Sequence, residues 1–208
     1  VTPEAFAAAL AAAGVNVPRG TFERLARYEA LLRDWQGRMN LVAPSTLSAV
    51  WERHFLDSAQ LAALVPPGRL WLDIGSGAGF PGLVLAAMEH GRFRLVESIG
   101  KKCAFLRAAA EAMGLANVEI VNARVEDLPP QRADVITARA AAPLARLLDW
   151  SLRHGTPGTS WIFPKGRTWD AEVADARRAF RFALDVAESR TDPEARILRI
   201  SDPRRAKG

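Results

Sequence analysis

The stretch Leu70 to Gly82, LWLDIGSGAGFPG, decides the fold. Leu70, Trp71, Leu72 and Ile74 are apolar in near succession, the pattern of a strand buried on both faces of a parallel sheet. Asp73 interrupts that run, and the chain then passes straight into Gly75, Gly77, Gly79 and Gly82. Glycine accepts positive φ and has no Cβ, so such a loop turns sharply and brings backbone amides against a ligand. Pro81 suits the first turn of a helix, and GLVLAAMEH reads as that helix.

Spacing narrows the ligand. The dinucleotide fingerprint G-x-G-x-x-G requires its third glycine at position 80, which is Phe80, and the phosphate-binding G-K-[ST] is missing. NAD and ATP are therefore disfavoured. A second apolar strand, Phe93 to Val96, ends at Glu97, roughly 20 residues past the loop, where an acid accepts hydrogen bonds from ribose hydroxyls. The combination predicts a nucleoside site with little equipment for phosphate.

Outward from this site, strands alternate with helices from Arg69 on, which predicts a parallel sheet covered on both faces. Strands are expected near 70–74, 93–97, 118–122, 134–138 and 160–163, with helices near 81–90, 101–113, 143–153 and 169–179. Two last strands, near 181–187 and 196–200, have too little chain between them for a helical crossover and should pair antiparallel. Before the sheet, Thr2 and Pro3 start a first helix, and Phe22, Leu25, Tyr28, Leu32, Trp35 and Met39 form the apolar stripe of a second. A third should run from Pro44 to Pro66. The expected organisation is a helical extension over 1–66 packed on the core, a ligand-binding α/β domain over 67–203 and a frayed basic tail over 204–208.

The 208 residues carry 28 Lys and Arg against 23 Asp and Glu, a net charge of +5 that is compatible with a nucleic-acid partner. A single cysteine, Cys103, excludes an internal disulfide and a Cys-rich zinc site and suits a cytoplasmic setting. Its place beside Phe105 and Leu106 fits a packed residue rather than a nucleophile. Three scattered histidines assemble no metal site. No stretch approaches the roughly 20 apolar residues of a membrane span, and the alanine-rich start lacks a basic leader and reads as an amphipathic helix.

The segment D-I-G-S-G-A-G-F-P-G resembles the first motif of S-adenosylmethionine-dependent methyltransferases, in the form found in the bacterial 16S rRNA guanine-N7 methyltransferases of the glucose-inhibited division protein B family. Further matches follow in order: Asn40-Leu41, Arg53 to Ser58, Glu97 to Lys102, Arg124 to Glu126, Thr137 to Leu144 and Lys165-Gly166. Ile99 and Pro164 depart from residues frequent in the family. The resemblance implies a class I methyltransferase, Rossmann-like, with a seven-stranded mostly parallel sheet. It also implies methyl transfer from S-adenosylmethionine to N7 of a guanosine in the 530 loop of 16S rRNA, position 527, in the small ribosomal subunit.

On this reading Gly75, Gly77, Phe80, Glu97, Ser98, Ile99, Val125, Glu126 and Arg139 contact the cofactor. Asp73 orients the glycine loop, or simply caps the amides that follow it. Arg139, beyond the carboxyl end of the fourth strand, is aimed into the cleft and is the candidate catalytic residue. Its alternative is a salt bridge to Asp134. Arg53, His54, Lys101, Arg124 and Lys165 are candidate RNA contacts, with Lys102, Arg107 and Arg167 on the same side; phosphate contacts of this kind position an RNA without choosing its base. His54, Asp57 and Ser58 share a helix face but lack the G-x-S-x-G elbow of a hydrolase. A methyltransferase for another acceptor and a non-catalytic RNA-binding module remain alternatives, with a nicotinamide enzyme more distant. Nothing demands a dimer, so a monomer is expected.

Overall fold

The computed structural model describes residues 2–206. Seven strands, β1 (Arg69–Ile74), β2 (Gly91–Glu97), β3 (Val118–Asn122), β4 (Val135–Thr137), β5 (Ser160–Lys165), β6 (Phe180–Glu188) and β7 (Arg196–Arg205), form one sheet in the order β3-β2-β1-β4-β5-β7-β6. Strands β1 to β5 pair parallel, and β7 runs antiparallel to both β5 and β6. The helices are α1 (Pro3–Ala11), α2 (Thr21–Gln36), the single turn α3 (Asp57–Ala59), α4 (Gly82–Ala87), α5 (Gly100–Met113), α6 (Leu144–Ser151) and α7 (Trp169–Ala179). The α/β class, the reversed final strand pair and the helical N-terminal segment are as the sequence predicts.

Alternation along β1 separates two apolar layers. Trp71 faces a core shared with Phe6, Leu25, Tyr28, Phe55 and Phe105, so the N-terminal helices close one side of the sheet. Leu72 and Ile74 face the opposite layer, built on Leu144, Leu147, Leu148 and Phe163. Each face is buried, which is why β1 reads as continuously apolar. Asp73, on the Trp71 side, is wholly buried; its Oδ2 accepts the Gly82 amide at 3.2 Å and so caps the entry to α4.

Two segments depart from expectation. Residues 44–64 do not form one helix: a 3₁₀ segment (Pro44–Ala49) leads into a π-helical turn (Trp51–Leu56), then α3, then a second 3₁₀ segment (Gln60–Leu64). The Asp57 amide reaches back five residues to the Glu52 carbonyl, and the Ser58 hydroxyl takes the His54 carbonyl at 2.6 Å, competing with regular pairing. Such widened turns recur at functional sites, and this one carries His54 and Asp57. The basic tail is the second departure. β7 continues through Arg205, with Arg204 opposite Arg181 and Arg205 opposite Phe180. Arg205 also pairs with Asp149 and lies over the Phe180 ring, so neighbours outside the local sequence order residues expected to fray. The end of that tail, 207–208, lies outside the described residues.

Candidate active site

Two adjoining clefts open at the carboxyl ends of the parallel strands, where the connections from β1 and β4 diverge to opposite faces. The smaller, about 310 Å³, is bounded by Gly75, Glu97 and Ser98 on one side and by Arg124, Val125 and Glu126 on another. Ile74, Val96, Val125 and Trp150 give it apolar walls, as suits a base with a polar ribose edge. The larger, about 690 Å³, takes in Gly77, Phe80, Arg53, His54, Arg139 and Lys165. Gly75, Lys102, Ala140 and Ala141 belong to both, so the two spaces meet at the glycine loop.

The glycine loop is held from both sides. Gly75, Gly77 and Gly79 all have positive φ, and a Cβ at Gly79 would lie 2.5 Å from the Leu83 side chain. From α2, the buried Tyr28 hydroxyl donates to the Ala78 carbonyl. From β2, the Glu97 carboxylate accepts the Gly77 amide at 2.9 Å through Oε2 and the Ile99 amide at 2.8 Å through Oε1. Glu97 is thus a buried tie between two loops as well as a polar wall of the smaller cleft. Ile99 contributes its amide, while its side chain is 49% exposed and lines neither cleft. Lys101, on the first turn of α5, is also outside both clefts. Burial raises the Asp73 carboxyl to about 8, and its Oδ1 has no partner among the described residues. The carboxyl lies wholly buried beneath the glycine loop and lines neither cleft, so it shapes the loop through the Gly82 amide rather than facing a ligand.

In the larger cleft Arg139 is the hub. Its Nη2 donates to His54 Nδ1 at 2.8 Å, and its Nη1 faces Asp57 Oδ2 at 3.2 Å and the Arg53 carbonyl at 3.3 Å. Its guanidinium lies 4.6 Å from the centre of the Phe80 ring, on which His54 also stacks at 4.8 Å. Asp134 instead accepts the Leu70 amide, so the expected alternative partner of Arg139 is engaged elsewhere.

Because arginine only donates, His54 Nδ1 must accept, and Nε2–H then faces Thr46 Oγ1 at 2.8 Å. Both ring nitrogens are taken by protein, so His54 acts on Arg139 and has no polar atom left for RNA. Burial, with Arg139 and Arg53 nearby, pushes its pKa down to about 3. A histidine held neutral contributes stability that is complete above its ordinary 6.5 and lost as pH falls toward 3. The stability difference between wild type and His54→Gln should therefore shrink as urea unfolding is repeated from about pH 7 down to about pH 4. A difference independent of pH would mean that His54 is not held neutral.

Lys165 is also less available than its sequence suggests. It is buried, and its Nζ donates to the Ala142 carbonyl and faces Glu172 Oε2, each at 2.8 Å. Trp150, Asp57, Thr191 and Glu172 line the clefts without having been singled out as ligands. Trp150 carried the one usable signal, an aromatic late in the helix after the fourth strand. His154 is a structural histidine: it donates through Nε2 to the Val125 carbonyl at 3.0 Å and fixes that wall of the smaller cleft.

The reversed β7-β6 pair closing a parallel sheet, with the smaller cleft at the β1 glycine loop, is the Rossmann-like fold of class I methyltransferases. The same fold is found in a mutant of MtNAS in complex with S-adenosylmethionine, with TM-score 0.62 and 18% identity, covering 88% of this chain and 73% of that one. It is found too in a SAM-dependent methyltransferase from Aquifex aeolicus, with TM-score 0.58 and 16% identity over 83% and 96% of the two chains. The family follows from sequence: the model of rRNA small subunit methyltransferase G (GidB) matches residues 21–193, and the chain belongs to that family. It is 50% identical to ribosomal RNA small subunit methyltransferase G of Rhodospirillum centenum, across 91% of this chain and 88% of the relative. Its counterpart in Rhodospirillum rubrum is 48% identical across 99% and 100%.

Proposed function

We propose that this chain transfers the methyl group of S-adenosylmethionine to N7 of guanosine 527 in the 530 loop of 16S rRNA, acting on the small ribosomal subunit. The observation that carries the reading is the junction of a nucleoside-sized cleft with a larger cleft at one glycine loop, in a chain of this family. Glu97 and the Val125 wall hold the adenosine part of the cofactor, and the loop amides hold its charged end. When bound, S-adenosylmethionine supplies a sulfonium methyl; the N7 lone pair forms the new N–C bond while the C–S pair leaves with sulfur.

Guanine N7 carries no proton, so the protein removes none. Its task is alignment, for which the partly exposed Arg139, braced by His54 and Asp57 over the Phe80 ring, presents its guanidinium to a base taken out of its stack. The larger cleft supports a base as occupant better than a phosphate, because Arg53, Arg139 and Lys165 each already face a carboxylate of the same cleft. The exposed Arg124 and Lys101 remain to meet the RNA backbone. Among the described residues no helix is long and apolar enough to cross a membrane, and the enzyme is proposed to act as a cytoplasmic monomer.

The test is transfer of labelled methyl from S-adenosylmethionine to subunits lacking the modification, with free rRNA and bulk protein as parallel acceptors, followed by cleavage at 7-methylguanosine. Label at one cleavable guanosine is expected. Label confined to another acceptor would discard the rRNA assignment, and RNA binding without transfer would leave a binding module.

A further inference from the structure

Three carboxylates line the larger cleft, and they differ in what their oxygens have left to offer. Both Asp57 oxygens are engaged: Oδ1 accepts Thr191 Oγ1 at 2.7 Å and Gln60 Nε2 at 3.0 Å, and Oδ2 faces Arg139 at 3.2 Å. Asp192 sits on the loop between β6 and β7 with its side chain 33% exposed; Oδ1 takes the Glu194 amide at 3.0 Å and Oδ2 faces Arg53 at 3.5 Å. Glu172 is different. Its Oε2 accepts the Leu144 amide and faces Lys165 Nζ, each at 2.8 Å, while Oε1 has no protein partner among the described residues.

The pin behind Glu172 is rigid. Lys165 is buried and anchored on the Ala142 carbonyl, and Leu144 is the first residue of α6. A carboxylate with one oxygen fixed by a buried ammonium and a backbone amide presents the other in a defined direction. The wall is next to the glycine loop: a Cβ at Gly75 would come within 3.0 Å of Ala141, the neighbour of Ala142.

We propose that Glu172 selects guanine, accepting at Oε1 the N1–H and exocyclic N–H donors of the target base; the inference rests on the guanosine reading above. Guanine is the base that presents these two donors side by side. Adenine presents a lone pair at N1, which a carboxylate repels. No proton moves and no bond to Glu172 forms. Methylation leaves a positive charge on the ring, which makes N1–H a stronger donor, so the contact tightens as the methyl arrives and favours turnover as well as binding.

The experiment uses small subunits reconstituted with 16S rRNA carrying either guanosine or inosine at the target; inosine lacks only the exocyclic amine. Wild type is expected to methylate inosine about tenfold more slowly, the loss of one charge-assisted hydrogen bond. Glu172→Gln keeps an oxygen for Lys165 and the Leu144 amide but turns a donor toward the base. It should slow guanosine methylation by roughly 100-fold, as for loss of a preorganised charge-assisted contact. It should also abolish the difference between the two bases while leaving affinity for S-adenosylmethionine unchanged; the thermal midpoint should fall, because the buried Lys165 loses its counter-charge, but the variant should still unfold cooperatively. Wild type that methylates inosine as fast as guanosine overturns the proposal without any variant. So does Glu172→Gln with the inosine penalty intact, or with a matching loss of cofactor affinity, which would make Glu172 a scaffold. Wild type that forms no 7-methylguanosine overturns the functional reading itself and this proposal with it.

Discussion

Arg139→Ala is expected to lower methyl transfer to the small subunit by roughly 100- to 1000-fold, the scale of losing a positioned electrostatic contact. Four contacts disappear together: the donors to His54 and to the Arg53 carbonyl, the ion pair with Asp57 and the cation over Phe80. The cofactor should still bind, with affinity within about threefold, because the Glu97 ties and the Val125 wall do not involve Arg139. The fold should persist as well, since Asp57 keeps Thr191 and Gln60 and the residue is only partly buried. Arg139→Lys should rescue poorly. An ammonium cannot donate to His54 and Asp57 from one plane while lying over Phe80. Steady-state transfer to subunits, set beside calorimetric binding of S-adenosylmethionine, separates the two quantities; unchanged turnover would remove Arg139 from the site.

What the sequence disclosed about this molecule was what local pattern controls. The β1 run, the glycine loop and Glu97 lie within one strand–helix–strand unit, so apolar continuity, backbone freedom and spacing were enough to place them. The antiparallel end of the sheet followed from chain length alone, because so few residues between β6 and β7 cannot cross over. The acceptor side was much less legible. Arg139, His54, Asp57, Thr191 and Glu172 are scattered along the chain, and no spacing announces that Asp57 will be tied to Thr191, or Lys165 to Glu172. Counted as free charges, Arg53 and Lys165 looked like part of a phosphate footprint; the folded chain gives each an acidic neighbour. The broken helix over 44–64 was hidden for a related reason. Its apolar pattern is helical, but the side-chain bond from Ser58 and the demands of the cleft decide its pitch.

Glu97 carries the second large prediction, and here the loss should fall on cofactor binding. Its carboxylate is buried and accepts two amides, from Gly77 on the first loop and from Ile99 on the second. Its backbone carbonyl is fixed in turn by Asn122 Nδ2 at 3.0 Å and the Ala123 amide at 3.2 Å, so the side chain starts from a rigid point. Glu97→Ala strands both amides, at about 1 to 3 kcal/mol for each buried donor left unpaired, and removes the acceptor proposed for ribose hydroxyls. Affinity for S-adenosylmethionine should fall by roughly 100-fold, equivalent to about 2.7 kcal/mol. Glu97→Gln should recover little, because one of its two terminal atoms becomes a donor facing an N–H. Turnover at saturating cofactor should fall far less than in Arg139→Ala, since the acceptor cleft keeps its own network. The pair of variants thus resolves the site into a cofactor half set by Glu97 and an acceptor half set by Arg139. Calorimetry decides it: affinity preserved within about threefold in Glu97→Ala would mean that the carboxylate ties the loops together without holding the ribose.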